Sequence, residues 1–297
     1  MKIMKDEGFG EIRVAMIGEH GPESIIFHRD MGLNFGDVVE ARITAYHPVL
    51  KGYFALSGDK AVFLPTSEKM TEGQAVRVKI TKEARWDKDA VGQITTEKSV
   101  PFMVEGEPIS IAEMDEIVEE ALQPNVPFGN GSMLHIERTK VCWVIDVDSG
   151  KSTASLGQIN QDAIPEILRQ IRLKNMGGLI LVDFAGTKRA GVKRELEKQI
   201  RAQLATDPLA RLAGWTPAGL LEIERKRERA ELWLACSDKN PINTYYRVRR
   251  AIAACRSGNP KVLVDPIVLK LLQQAGVRAR LEPIFDRPTS YFEIVED

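Results

Sequence analysis

The 297-residue sequence predicts a multidomain α+β protein: an N-terminal β-hairpin, a small β-barrel inserted after it, an α/β layer and a shorter α/β extension. Three observations predict this. Five short alternating runs separated by turn residues crowd residues 36–98. Further on, two continuous apolar runs flank an amphipathic helical stretch and each ends in acids. The last part mixes short apolar runs with helical spacing over 241–297.

The first element, residues 1–35, is read as a hairpin from Glu11–Gly18 and Ser24–His28 around a turn at Gly18–Pro22. The barrel follows at 36–98, with strands over Val38–Tyr46, Gly52–Leu56, Ala61–Leu64, Ala75–Lys82 and Ala90–Thr95. This OB-like pattern carries Phe54 and Phe63 beside Lys79, Lys82, Arg85, Trp86 and Lys88. Rings stack on unpaired bases and cations meet phosphates, so the combination points to single-stranded nucleic acid, although each Phe alone would suit a core.

Residues 99–124 form a linker, marked by Pro101, Gly106 and Pro108, and a helix over Ser110–Leu122 whose acids face water. The region 125–240 holds the apolar runs. Val141–Ile145 ends in Asp146 and Asp148, and Gly178–Val182 ends in Asp183. A continuous apolar run is a strand buried on both faces, with polar residues expected at its mouth. The intervening helix, Asp162–Lys174, allows the second strand to return parallel to the first, which brings the acids to one sheet edge. Carboxylates gathered there suit a hard divalent cation, although an acid at a strand end can also cap a helix or face water. Beyond Asp183, Thr187 is expected to cap a basic helix bearing Lys188, Arg189, Lys193 and Arg194, suited to a phosphate backbone or simply to solvent. Glu222–Arg229 is read as a further charged helix.

The extension 241–297 is expected to start with a basic helical stretch through Arg247, Arg249 and Arg250, then Lys261–Val264, a helix over Asp265–Ala275, Val277–Leu281 and Tyr291–Val295. With 41 basic and 42 acidic residues, no global field advertises a nucleic-acid partner, so basic surface must be local. The three cysteines, Cys142, Cys236 and Cys255, form no C-x-x-C pair and suggest neither a disulfide framework nor structural zinc. With a charged N-terminus and no apolar run of spanning length, a cytoplasmic protein without a membrane partner is expected.

Taken together, Ile145–Ser149, Lys151–Thr153, Arg169–Leu173, Gly177–Phe184 and Gly219–Arg225 resemble the catalytic region of the ribonuclease E/G family. Gly106–Ile109 and Leu281–Phe285 extend the likeness towards both ends. The resemblance implies a magnesium-dependent endoribonuclease that hydrolyses phosphodiesters of single-stranded RNA such as rRNA or mRNA precursors. In that reading Asp146 and Asp183 hold Mg2+, or Mn2+ in its place, and Asp148 supports catalysis at a position where the family usually carries Asn. It also implies a DNase I-like catalytic domain, an RNase H-like remnant at 1–35, and RNA contacts by Phe54, Phe63 and Lys88. Lys82, Arg85, Lys151, Arg169, Arg172, Lys188 and Arg189 are the further cations assigned to RNA. Between Thr95 and Gly106 the chain lacks the region in which relatives sense an RNA 5′ monophosphate, so cleavage independent of the 5′ end is expected. The zinc-sharing cysteine motif of relatives is missing, with Cys236 alone near its place, so any homo-oligomer would not be zinc-linked. The alternatives are a non-catalytic RNA-binding protein or RNA chaperone on the same scaffold and, with less support, an enzyme acting on DNA.

Overall fold

Turns at Gly58 and Gly73, both with positive φ, help break the barrel sequence into strands short enough to curl. The computed structural model describes residues 1–236 except 9, 31, 86, 87, 130 and 188, together with 261–263 and 293–295. Ahead of the barrel, β1 (Lys2–Gly8), β2 (Glu11–Gly18) and β3 (Gly21–Arg29) form a sheet of order β3-β2-β1-β9. Here β9 (Glu107–Pro108) runs parallel to β1, pairing Met4 with Glu107. The expected hairpin is therefore β2–β3, and β1 adds a strand hidden in the charged N-terminus.

The barrel consists of β4 (Val38–His47), β5 (Gly52–Ser57), β6 (Lys60–Leu64), β7 (Ala75–Lys82) and β8 (Ala90–Ile94). It closes in the order β4-β5-β6-β8-β7, with β6 and β8 parallel and the remaining pairs antiparallel. Period-2 alternation sends Ala41, Ile43, Ala55, Val62, Leu64, Val76, Val78 and Ile80 inside. Space there is tight enough to require Gly92, where a Cβ would collide with the Val78 side chain.

After α1 (Ile111–Leu122) come β10 (Asn125–Phe128), β11 (Ser132–Arg138), β12 (Cys142–Asp148), α2 (Leu156–Leu173), β13 (Gly178–Asp183), α3 (Ala190–Leu204), β14 (Ala210–Trp215) and β15 (Leu221–Arg225). The six strands form one sheet, order β10-β11-β12-β13-β15-β14, in which β12 and β13 alone are parallel, as the α2 crossover requires. Trp143, Ile145 and Val147 of β12, Ile180 and Val182 of β13, and Leu221 and Ile223 of β15 are buried. The stripe of α2, Ile159, Ala163, Ile164, Ile167, Leu168 and Ile171, is buried as well, and α2 contacts both β12 and α3.

Two sequence expectations are corrected here. Glu222–Arg229 is no helix: Leu221–Arg225 is strand β15, because Leu221, Ile223 and Arg225 alternate inward while Glu222 and Glu224 do not. Thr187 does not cap α3; its hydroxyl donates to the Phe184 carbonyl and Arg189 occupies the cap without a side-chain hydrogen bond. In the extension, β16 (Lys261–Leu263) pairs in parallel with β17 (Glu293–Val295). The expected basic stretch at Arg247–Arg250, the helix over Asp265–Ala275, the run Val277–Leu281 and the motif Leu281–Phe285 lie outside the described residues, as do Trp86, Lys188 and Cys255.

Contacts divide the chain into two units. One comprises 1–16, 26–116 and 233–297; the other comprises 17–25 and 117–232. The first contains the barrel and the second contains the six-stranded sheet. Among the described residues, no helix is long and apolar enough to cross a membrane.

Candidate functional site

In the sheet unit the parallel register of β12 and β13 sets Asp146 directly opposite Asp183. The antiparallel partner β11 places His135 opposite Asp146 on the other side, and β10 places Asn125 opposite His135. Asn125, His135, Asp146 and Asp183 therefore form one row across four strands, each about 4.8 Å from the next. The Asn125 carbonyl oxygen accepts from His135 Nδ1 at 2.8 Å, which turns Nε2 towards the Asp148 carboxylate at 3.5 Å. Sequence reasoning missed Asn125 and His135, whose significance comes from strand register and not from any local motif.

Electrostatics separate Asp146 from Asp148. Partial burial is the main cause raising the Asp146 carboxyl above the ordinary aspartate range; Asp183 and, to a smaller extent, Asp148 raise it further, while His135 opposes them. Asp148 goes the other way: the Gly150 backbone N–H, donating at 3.0 Å, lowers it most, with help from His135. Among the described residues no group of three His, Cys, Asp or Glu side chains stands ready to hold a metal ion. The pair Asp146 and Asp183 nevertheless suits a hard cation: both are exposed oxygen donors on adjacent strand ends, and each gains when the other's charge is neutralised.

The loop after Asp183 is held from beneath. Buried Asn160 of α2 donates through its amide to the Ala185 carbonyl at 2.8 Å and accepts from the Ala185 N–H at 3.0 Å. This two-point bond fixes the chain immediately beyond the acid, and Phe184 is buried. Lys174 is buried too, its ammonium donating to the carbonyls of Ala121 at 2.5 Å and Gln123 at 2.7 Å, and burial lowers its pKa to about 8, assisted by the charge of Arg169.

The structure distributes the predicted cations unevenly. Arg169 donates to both oxygens of Glu166 and to the Pro22 carbonyl at 2.7 Å, and Arg172 pairs with Glu23. These two arginines line a groove with His20, Phe128 and Asp162, and their charges are already matched there. Lys151 and Arg189 are exposed, Lys151 in the turn after Asp148 and Arg189 ahead of α3.

In the barrel unit, register assembles a belt. Ala45 faces Phe54, Phe54 faces Phe63, Phe63 faces Val91, and Val91 faces Lys82 around β4, β5, β6, β8 and β7. The Phe54 and Phe63 rings lie 5.3 Å apart, centroid to centroid, and neither belongs to the buried core. Lys82 and Lys88 are exposed, and Arg85 bridges to Lys88 through the backbone where the β7–β8 connection turns back.

Comparisons with known proteins find similarity to ribonucleases. Ribonuclease E of Synechocystis is 34% identical over 137 residues, covering 43% of this chain and 20% of the relative. The Ribonuclease E/G-like protein, chloroplastic, of Arabidopsis thaliana is 32% identical over 135 residues, 42% of this chain and 14% of the relative. Ribonuclease G of Salmonella typhimurium is 28% identical over 124 residues, 39% of this chain and 25% of the relative. The matched part thus spans a quarter or less of the length of these curated relatives. Residues 56–228, which include Phe63, Lys88 and all three aspartates, match the sequence model of the Ribonuclease E/G family. The chain belongs to the Ribonuclease E/G family.

Proposed function

We propose that this chain is a magnesium-dependent endoribonuclease that hydrolyses single-stranded RNA, such as rRNA or mRNA precursors, independently of the RNA 5′ end. The observation that carries this reading is the in-register placement of Asp146 and Asp183 on parallel strands joined by α2. These two carboxylates would hold the metal, with Mn2+ able to replace Mg2+. When bound, the cation supplies charge neutralisation at the phosphate and a water of lowered pKa. Asn160 keeps Asp183 in place through the following loop. Asp148, already tied to Gly150 and facing His135, orients the row and does not serve as a third ligand.

The barrel, read as an OB-fold over 36–98, would hold unpaired bases on Phe54 and Phe63 and phosphates on Lys82 and Lys88. The unit around the six-stranded sheet is read as the DNase I-like catalytic part over 125–240, with 1–35 as an RNase H-like remnant, 99–124 as linker and helix, and 241–297 as a C-terminal extension. Arg85, Lys151 and Arg189 are the remaining cations for RNA, together with Lys188. Arg169 and Arg172 would reach RNA only by giving up Glu166 and Glu23.

A labelled single-stranded RNA incubated with Mg2+ or with chelator tests the reading. Cleavage should require the metal, should disappear in Asp146→Asn and Asp183→Asn, and should proceed equally on 5′-monophosphate and 5′-triphosphate RNA. A second reading, an RNA-binding protein without turnover, draws on the engagement of Asp148 away from the acid pair. Metal-independent binding with no cleavage in any lane would establish that reading instead.

A further inference from the structure

We propose that His47 is a third nucleobase-contacting residue of the barrel, forming the wall of a notch whose floor is Phe54. The inference rests on the barrel being the RNA-binding surface. His47 ends β4 and faces Gly52 across the β4–β5 hairpin. A Cβ at Gly52 would lie 2.4 Å from the Leu64 carbonyl oxygen and 2.6 Å from Cζ of Phe63, so glycine here leaves room for both the adjacent strand and the Phe63 ring. His47 and Phe54 then meet with centroids 5.9 Å apart and planes at 70°, while Phe54 and Phe63 meet at 55°.

Three contiguous rings result, and their angles define what they can hold. A base stacked flat on Phe54 presents its edge to the imidazole, which stands nearly perpendicular to it. The Leu50 N–H donates to His47 Nδ1 at 3.2 Å, so Nδ1 is an acceptor and the proton of the neutral ring sits on Nε2. That bond steadies the ring that forms the wall. The ligand is therefore the unpaired nucleobase stacked on Phe54, whose edge meets the His47 ring. In the turn after His47, Val49 and Leu50 are 81% and 52% exposed, an apolar rim suited to the flat faces of bases.

A purely local role for His47 is to anchor the 48–51 turn through Leu50, and two substitutions separate the roles. His47→Phe keeps a ring at the wall but loses the bond to Leu50, whereas His47→Asn can keep a polar bond to the turn but loses the ring. Binding of fluorescein-labelled single-stranded RNAs of increasing length is measured by anisotropy in chelator, so that nothing is cleaved. His47→Phe should stay within about three-fold of the native chain, and His47→Asn should weaken binding of the longer RNAs by about 5- to 50-fold. Native-like binding by His47→Asn, or loss in His47→Phe alone, overturns the proposal. In the native chain, ultraviolet crosslinking to 5-bromouridine RNA should mark the tryptic peptide spanning Ile43–Lys51, a readout independent of how the variants fold. Absence of that crosslink also overturns it. If Phe54→Ala weakens binding and His47→Asn does not, only the role of His47 fails; if neither matters, the RNA-binding reading of the barrel fails with it.

Discussion

The barrel and the six-stranded sheet both bury an apolar interior, yet they display their chemistry differently. The barrel places it around its circumference: Phe54, Phe63 and Lys82 come from different strands, and register sets them along one belt, with Val91 between Phe63 and Lys82. The sheet concentrates it at strand ends, where a helical crossover returns β13 beside β12 with Asp183 opposite Asp146. A belt spreads binding over many side chains, so each contributes a fraction. A pair of strand-end acids acts as one unit, and losing either member removes it.

The largest effect should therefore come from the pair. Asp183→Asn keeps the shape of the strand end but removes one of two negative oxygen sets, and cleavage should fall by at least about 10^2- to 10^3-fold. RNA affinity in chelator should stay within about three-fold. Cleavage at native rates would break the distinction between an all-or-none edge and a graded belt.

A stability difference between the units comes next. Lys174 lies in the sheet unit with its pKa lowered from 10.5 to about 8. Between those values the unfolded chain binds the additional proton, so stability rises with pH; the penalty is complete below about 8 and is relieved as pH approaches 10.5. Full relief corresponds to roughly 3 kcal/mol. Thermal melts followed through Trp143 and Trp215, both in the sheet unit, should shift upward between pH 7.5 and 9.5, and Lys174→Met should flatten that slope. An equal slope in the variant would remove Lys174 as its cause.

On the barrel, Phe54→Ala should weaken single-stranded RNA binding by about 5- to 150-fold. It should raise KM far more than it lowers kcat if, as proposed, the ring binds substrate away from the reacting phosphate. An unchanged KM would detach the belt from the substrate.

How much of this was legible in the sequence follows the same division. The barrel strands and the two acid-bearing strands announce themselves by alternation or by continuous apolar runs, and the crossover follows from the helix between them. What stayed hidden depends on distant partners. The run at 222–229 looks helical because its charges mask a period of two; Arg225 can point inward because Asp207, 18 residues earlier, pairs with it at 2.8 Å and Asn175 and the Met176 carbonyl accept from it as well. Asn160 looks like a polar interruption of a helix stripe until the Ala185 backbone, 25 residues on, supplies both its hydrogen bonds. His135 has no local motif at all; strand pairing alone makes it a neighbour of the acids.

That residue gives the smallest and most discriminating test of the edge. His135 lowers both Asp146 and Asp148, so His135→Ala should let the Asp146 carboxyl rise further above its ordinary range. A carboxyl with a higher pKa ionises only at higher pH, so the acid limb of the cleavage profile should move upward. The histidine is 42% exposed in its side chain, and water screens its charge, which limits the loss near neutrality to about two- to five-fold. RNA affinity should be unchanged, because the barrel belt lies in the other contact unit. An acid limb that coincides with that of the native chain would mean that Asp146 is set by burial and by Asp183 alone, reducing the working row to two carboxylates.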